Sequence, residues 1–298
     1  MGKMTIAIIG ASGFVGQNLL RHLLKTTDYD VMALCRHPES IKFESHYSNR
    51  IKPVPTDVFD GETLHRNLAN ADAAVYLVHM MASKGDYYDK EAKAAETFGR
   101  AARAAGLKRV VYMGGLGSDA DKLSKHLRSR HNTGNILRRY VPLVIEFRAS
   151  MIVGDGSIAY DIMKNLVHRL PVQTMPAWAV TQTQPIALED ALLYLAAALT
   201  IPVKHHETVE IGGPEHLSYK DLVARYAAYA GKKPVLILVP IVPLWLSAWW
   251  LNLFTPARHA RVGRQMAESL HNPMVVTNDR AAELFPDIHP GPIEKAFT

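Results

Sequence analysis

Short runs of apolar, mostly β-branched residues alternate with amphipathic segments along the first half of the chain. The apolar runs predict six strands, and the segments between them predict four helices. The strands are expected at Met4–Ile9, Asp30–Leu34, Ile51–Pro55, Ala73–Val78, Arg109–Met113 and Leu143–Phe147. The helices are expected at Phe14–Lys25, Gly61–Leu68, Asp86–Ala105 and Ser124–Tyr140. Strands that alternate with helices predict an α/β protein with a doubly wound parallel sheet, covered by helices on both faces.

The regular alternation fades after Phe147. Helical patterns remain at Ile158–His168, Leu188–Leu199 and Ser218–Ala230, with strand-like pieces at Thr183–Ile186, Thr208–Ile211 and Val235–Val239. We therefore predict a regular domain over residues 1–148 and a smaller, irregular substrate or cap region over residues 149–298. Thr208–Ile211 is a candidate for return to the main sheet.

The first predicted strand runs directly into a glycine-rich loop, Gly10–Gly16, with the spacing Gly-x-x-Gly-x-x-Gly. In dinucleotide-binding folds these glycines turn the chain, admit a pyrophosphate close to the backbone and pack the following helix against the strand. Because this loop lies between a strand and a helix, it predicts a Rossmann-type dinucleotide site, and a tight turn without a ligand is the alternative. The expected contacts are Gly10, Ser12, Gly13, Phe14, Val15 and Gly16.

Arg36 follows the second strand, at the place where an NAD-selective site carries an acid. A guanidinium can bind a 2′-phosphate through two hydrogen bonds, with His37 and the Ser12 hydroxyl nearby. The sequence therefore favours NADP(H) over NAD(H) as the cofactor. The alternative is a solvated surface arginine.

Further cofactor contacts are expected after the third and fourth strands. Asp57 suits a hydrogen bond to the adenine amino group, although a helix-capping role is an alternative, and Val58 would pack on the ring. Val78 and His79 would lie beside the nicotinamide-side ribose. The predicted strand residue Tyr112 is expected to be a buried aromatic.

Several segments together resemble the atypical short-chain dehydrogenase/reductase superfamily. The resemblance is greatest to NAD(P)-binding, NmrA-like and YbjT-like proteins, which are often labelled nucleoside-diphosphate-sugar epimerases. It extends from the first strand to about Gly213, with a weaker likeness through Thr255 and Pro256. The segments are the glycine loop, Leu34–Pro38, Tyr76–Met80, Val110–Gly117, His126–Arg130, Met151–Gly154 and Gln184–Ile186.

The resemblance implies a catalytic tyrosine, a lysine four residues later and a serine or threonine that orients the substrate. This chain has His126 and Arg130 at the first two places, and Gly114–Gly115 where the hydroxyl is expected. In one interpretation His126 exchanges the proton and Arg130 contacts the cofactor. In the other, both belong to a basic helix face and the protein is a non-catalytic NADP(H) sensor or scaffold.

Composition narrows the function classes. A single cysteine, Cys35, cannot form an internal disulfide, so a reducing compartment, the cytoplasm, is expected. The 14 histidines show no metal-binding spacing, and no metal is expected. Basic residues give a net charge of +6 but are scattered, which does not indicate nucleic acid.

One stretch, Pro234–Ala257, carries no charge and contains Trp245, Trp249 and Trp250. Two prolines divide it, so its continuous helical part, Leu244–Phe254, would rise only ~16 Å, about half of what a membrane span needs.

We expect that stretch to form a pocket wall or a subunit contact, with peripheral membrane contact as a lesser alternative, and a homo-oligomer is left open. The leading hypothesis is an NADP(H)-dependent oxidoreductase or epimerase-like enzyme. Its substrate would be an apolar small molecule whose pocket is lined by Arg148, Trp178 and Trp245.

Overall fold

The structure is a computed structural model that describes residues 3–81, 86–118, 122–239 and 270–297. Its strands are β1 (Thr5–Ile9), β2 (Asp30–Cys35), β3 (Ile51–Pro55), β4 (Ala73–Tyr76), β5 (Arg109–Gly115), β6 (Leu143–Ala149), β7 (Ile152–Val153), β8 (Val172–Pro176), β9 (Gln182–Thr183), β10 (Ile186–Ala187), β11 (Glu207–Ile211), β12 (Leu217–Ser218) and β13 (Val235–Val239). Its helices are α1 (Phe14–Thr26), α2 (Gly61–Leu68), α3 (Tyr87–Ala104), α4 (Lys125–Tyr140), α5 (Ile158–Arg169), α6 (Leu188–Ala197), α7 (Tyr219–Tyr229) and α8 (Arg280–Leu284).

Seven parallel strands form the central sheet, in the order β11-β6-β5-β4-β1-β2-β3. The chain moves outward from β1 to β3 and then returns to the other side of β1 as β4. The carboxyl ends of β1 and β4 therefore form the point where the strand order reverses, which is where ligands bind in such sheets. The predicted doubly wound α/β fold is confirmed.

Alternation along β1 divides the core into two layers, because successive strand side chains point to opposite faces. Ile6 and Ile8 pack with the leucines of α1 and with α6 on one face. Ala7 and Ile9 pack on the other face, against α2, α3 and α4. Each fully buried leucine contributes about 1.5–3 kcal/mol, so the two layers hold the carboxyl edge of the sheet as a rigid platform.

The second half of the chain is less regular. Helices α5 and α7 pack through Tyr160 and Tyr226, and Phe297 joins them. β11 pairs with β6 over five positions and so forms an edge of the main sheet. The single strand expected at Thr183–Ile186 is wrong.

Two short strands replace that expected strand, because Pro185 lies between them and has no N–H to donate. β9 pairs with β12, and β10 pairs with β7. The expected strand Val235–Val239 is present as β13, paired in parallel with β8.

Trp245 and the expected helix Leu244–Phe254 lie outside the described residues, as do Trp249, Trp250, Thr255 and Pro256. Within the described ranges, no helix has both the length and the apolar character that a membrane crossing requires.

Candidate dinucleotide and reaction site

The glycine loop after β1 can accept a ligand only because two of its residues lack a side chain. Gly10 has φ +88°, a conformation that other residues rarely adopt, and its N–H donates to Leu34 O at 3.0 Å. A Cβ on Gly16 would lie 2.4 Å from Gly10 O and 2.9 Å from the Ala11 Cα. The loop therefore brings its backbone very close to the start of α1, as a pyrophosphate cradle requires.

Helix α1 begins at this loop with no side chain capping it and no acid in its first turn. Its free N–H groups and the positive end of the helix dipole are therefore available for an anion. Ser12 and Gly13 are exposed, and Phe14 and Val15 are half-buried. These residues fit the phosphates of a dinucleotide.

Arg36 lies directly beyond the end of β2, and its side chain is exposed. It forms no ion pair with the residues that the structure describes. His37 is also exposed, but its Nδ1 lies 3.1 Å from the Glu39 carboxylate. Glu39 therefore places a negative charge beside the two residues expected to receive a 2′-phosphate.

Asp57 is exposed beyond β3, and its carboxylate accepts a hydrogen bond from Phe59 N at 3.0 Å. Asp60, not Asp57, caps α2 by accepting from Thr63 N. Val58 is buried and packs into the core beneath this edge. Asp57 is therefore not needed as a helix cap, and its outer oxygen faces solvent.

The structure brings together two histidines that the sequence suggests separately. His79 lies beyond β4 and His126 lies in the first turn of α4, and their Nε2 atoms are 3.1 Å apart. Their rings meet edge to face, at an angle of 88°. One ring must carry the hydrogen that the other accepts, so at least one of the two is neutral in this contact.

Burial, together with His79 and the Arg130 guanidinium, lowers the pKa of His126 to about 3, against the opposing effect of Glu91. The pKa of His79 is also lowered, by its packed surroundings and by Arg130. Its ring is open to solvent on one side, which screens part of that effect. Both imidazoles are therefore neutral near pH 7.

Arg130 is buried beneath the histidines, where its guanidinium holds two strand ends together. Nη1 donates to Val78 O at 3.0 Å, and Nη2 donates to Met113 O. The guanidinium also lies 4.9 Å from the ring centroid of Tyr112, which is fully buried as expected. Two of its five N–H groups are thus committed to backbone, and the others remain for a cofactor contact.

Glu91 belongs to this site although the sequence did not single it out. The carboxylate is buried on α3, where it accepts from Met80 N at 2.8 Å and from the Ser129 hydroxyl on α4. It therefore ties the segment that carries His79 to the helix that carries His126. Its signal in the sequence is an acid at helical spacing within the apolar face that contains Phe98.

The expected substrate residues have different surroundings. Arg148 is buried at the end of β6, and its Nε donates to the fully buried Glu146 at 2.9 Å. Trp178 is half-buried and meets Tyr219 edge to face, with 6.0 Å between ring centroids. Nearby in the same region, the Gln173 amide nitrogen is buried without a hydrogen-bond partner among the described residues, which is unusual for a buried polar group.

A cavity of about 460 Å³ lies at the opposite end of the sheet. Its basic lining includes Arg103, Lys108, Arg138 and Arg139. Arg103 donates to the carbonyls of Arg139 and Tyr140 at the end of α4, so its positive charge neutralises the exposed carbonyls of that helix end. A structural role at the end of α4 therefore accounts for Arg103 in the cavity lining, and no part in dinucleotide binding is needed to explain it. In the part of the chain that the structure describes, no group of three or more His, Cys, Asp or Glu could hold a metal ion.

Comparison with known proteins agrees with this geometry. Residues 10–149 match the family described as NAD(P)H-binding. A nucleoside-diphosphate-sugar epimerase from Staphylococcus aureus is similar in structure, with 15% identity over 98% of each chain and a TM-score of 0.73.

Two further structures are comparable. A triphenylmethane reductase from Citrobacter sp., crystallised with NADP(H), has 17% identity over 96% of each chain and a TM-score of 0.72. An epimerase from Methanothermobacter thermautotrophicus has 13% identity, covering 97% of this chain and 88% of its own, and a TM-score of 0.73. No curated protein matches the chain by sequence.

The fold and the glycine loop define an NAD(P)H-binding α/β protein, with residues 10–149 as its NAD(P)H-binding domain. These three structural neighbours are at most 17% identical to this chain, and they support the α/β fold that the sequence predicts.

Proposed function

We propose that this protein is an NADP(H)-dependent oxidoreductase that reduces an apolar small molecule at an oxygen-containing group such as a carbonyl. The observation that carries the proposal is the contact between His79 and His126, 3.1 Å apart at the reversal point of the sheet. Polar side chains that meet beside a dinucleotide cradle are the usual source of proton transfer and substrate orientation.

Arg36 supports NADP(H) as the cofactor. Its guanidinium is exposed at the end of β2, where a carboxylate would favour the free ribose hydroxyls of NAD(H). A charge-assisted hydrogen bond to a phosphate contributes about 1.5–3 kcal/mol, enough for roughly a 10- to 100-fold preference. Ser12 and His37 would assist, although the pairing of His37 with Glu39 reduces its share.

The reaction needs a proton as well as reducing equivalents. The nicotinamide supplies the hydride when bound. His126, neutral near pH 7, donates a hydrogen bond that orients and polarises the substrate oxygen. His79, open to solvent, takes up a proton from solvent and passes it across its contact with His126, and His126 releases its own N–H proton to the substrate oxygen as the hydride arrives. The buried Arg130 cannot release a proton.

The surroundings of His126 favour an apolar substrate. Leu127, the next residue on α4, packs in a cluster with Leu116, Leu123 and Met274. The unpartnered Gln173 amide would give such a substrate one polar contact in the substrate region. Cys35, buried and without a possible internal partner, supports the cytoplasm as its place of action.

A second candidate, a non-catalytic NADP(H) sensor, is supported by a different observation. His126 stands where the resemblance implies a tyrosine, so no phenolic proton donor is present there. An imidazole with a pKa of about 3 is almost entirely unprotonated at neutral pH and so has no imidazolium proton to give. Both candidates need the cofactor, so turnover alone separates them.

Cofactor titration tests the proposed preference for NADP(H). We expect the purified protein to bind NADPH more tightly than NADH, and Arg36→Ala to remove the difference by weakening NADPH roughly 10- to 100-fold. Lys52→Ala, another exposed cation on β3, is the matched control and should leave both affinities unchanged. Equal affinities in the unaltered protein would refute the NADP(H) assignment.

Measurement of turnover tests the proposed reduction and the role of His126 in it. NADPH oxidation is measured with a panel of quinones and carbonyl compounds, and His126→Gln should lose rate while keeping its NADPH affinity. An unchanged rate would remove His126 from the mechanism. Tight NADPH binding without oxidation by any panel member would favour the sensor.

A further inference from the structure

Exposed apolar side chains are concentrated on the small β8–β13 sheet and the turn that follows β8. Across the described ranges, eight large hydrophobic residues are exposed, and five of them lie here. They are Val172, Val180, Val235, Ile237 and Leu238, each between 42% and 56% exposed. Scattered exposed hydrophobics are ordinary, whereas a cluster of this kind marks a contact surface.

Strand pairing makes these residues neighbours. Val235 lies opposite Val172, and Ile237 lies opposite the exposed Thr174. Gln173 and Met175, between them on β8, are buried beneath. We call this face, with Val180 beside it, the β8–β13 surface; Leu238 lies opposite Met175 and points to the other side of the small sheet.

The two chain segments that contain this surface carry charge of one sign. Residues 169–182 and 229–239, which contain the surface, carry Arg169, Lys232 and Lys233 and no Asp or Glu. The exposed Lys232 and Lys233 come directly before β13. Cations that border an apolar face complement a partner that is itself apolar and anionic.

The sequence extends this pattern beyond β13. No acid occurs between Asp221 and Glu268. That interval contains three tryptophans and six cations: Arg225, Lys232, Lys233, Arg258, Arg261 and Arg264. Tryptophan, apolar residues and cations without acids are the composition of segments that bind at a lipid headgroup interface.

We propose that the β8–β13 surface attaches the protein reversibly to a bilayer that contains anionic lipids. The exposed valines and Ile237 would enter the headgroup boundary, and Lys232 and Lys233 would approach the lipid phosphates. This inference does not depend on the proposed reaction, because none of the exposed side chains of the surface takes part in it; Gln173, the proposed substrate contact on β8, is buried beneath them.

A second copy of the chain is a less suitable occupant. In a two-fold dimer the same patch meets itself, so Arg169, Lys232 and Lys233 of one copy would face the same cations of the other. Like charges brought together at an interface disfavour that contact.

Vesicle sedimentation tests the proposal on the full chain. The purified protein is mixed with vesicles of phosphatidylcholine alone or of phosphatidylcholine with phosphatidylglycerol. We expect binding to the anionic vesicles that falls as salt rises, since exposed charges are screened. No sedimentation with either vesicle would overturn the proposal.

Variants locate the contact. Ile237→Asp should reduce vesicle binding at least tenfold, whereas Leu193→Asp, exposed to a similar degree but on α6, should not. Val235→Thr with Ile237→Thr keeps β-branched residues in the strand, and it should reduce binding even if the aspartate variant fails to fold. Lys232→Gln with Lys233→Gln should weaken binding to the anionic vesicles only.

Unchanged binding in the threonine variant would refute the assignment to this surface. Light scattering supplies a further test, since a dimer that the threonine variant dissociates would show a subunit interface and overturn the membrane proposal. Retained NADPH binding and circular dichroism confirm that each variant is folded.

Discussion

The carboxyl edge of the sheet has two halves that are built in different ways. Beyond β1, β2 and β3, the candidate cofactor contacts come from backbone and exposed side chains, namely the Gly10–Gly16 loop and Arg36. Beyond β4 and β5, they come from side chains of separate elements that contact one another, with Glu91 and Arg130 buried beneath His126. The first half depends on local geometry and the second on tertiary contacts.

That difference predicts different responses to substitution. A change of an exposed side chain in the first half should remove one contact at a time and appear as a change in cofactor affinity. A change in the second half should disturb several elements together, because Glu91 joins α3, α4 and the segment after β4.

Gly16→Ala should have the largest effect and tests whether backbone proximity defines the first half. The added Cβ would meet the backbone of Gly10 and Ala11 at 2.4 and 2.9 Å, so the loop must shift. We expect a loss of about 2–3 kcal/mol in the free energy of unfolding, as for other overpacked sites, and NADPH binding at least tenfold weaker. Chemical denaturation and cofactor titration measure both.

Gly61→Ala is the matched control for this substitution. Its Cβ would lie 3.7 Å from Thr97 Cγ2, an ordinary contact at the start of α2. It should be neutral or stabilise the protein by up to about 1 kcal/mol. If Gly16→Ala behaved in the same way, the close packing of the loop would not limit its sequence.

The first half could be predicted from the sequence because its determinants are local. The strand before the loop, the glycine spacing and the helix after it are contiguous in the chain. The six strands and four helices predicted between residues 1 and 148 lie within two residues of their predicted bounds. The error at Thr183–Ile186 came from treating this short segment as one strand, whereas Pro185 divides it between two sheets.

The second half could be predicted only in its parts. The position of His126 follows from helical spacing, and that of His79 from the end of a strand, but their contact joins residues 47 apart in the chain. Glu91 was missed because an acid within an apolar helical face is read as exposed unless its partners are known, and those partners are the Met80 backbone and Ser129. Only the tertiary fold supplies them.

Glu91→Ala tests whether the second half behaves as one unit. It leaves Met80 N–H and the Ser129 hydroxyl without their buried acceptor, at a cost of about 1–3 kcal/mol. We expect a lower free energy of unfolding and a fall in any NADPH oxidation rate, with NADPH affinity changed less than twofold. Glu96→Ala, on the same helix, is the control. A fall in affinity without a fall in stability would break the division into halves.

The pH dependence of stability tests the neutral histidine pair. The pKa of His126 falls from 6.5 to about 3 on folding. Its contribution is fully present above pH 6.5 and is lost as pH falls towards 3, because the unfolded chain takes up the proton first. His126→Gln should therefore flatten the loss of stability between pH 7 and pH 4, measured by urea denaturation.

His65→Gln, an exposed histidine on α2, serves as the control for that pH series and should reproduce the unaltered curve. A His126→Gln curve that keeps the full slope would mean that folding does not lower the pKa of His126, so that its ring is charged below its ordinary pKa in the folded protein as well. The pair with His79 would then be an ion–dipole contact, and the proposed neutral hydrogen-bond donor would be wrong.

Glu39→Gln should have the smallest effect and tests whether single exposed charges adjust the first half. Glu39 pairs with His37, and both side chains are 73% exposed, so the pair itself contributes less than about 1 kcal/mol. Removing the carboxylate removes repulsion of a 2′-phosphate and frees His37, which should tighten NADPH binding about twofold and leave NADH unchanged. Glu44→Gln, an exposed acid paired with Lys25 and His46, is the control in the same titration. Equal tightening of both cofactors would mean that Glu39 acts on the shared pyrophosphate, and the 2′-phosphate would then have to be assigned away from the end of β2.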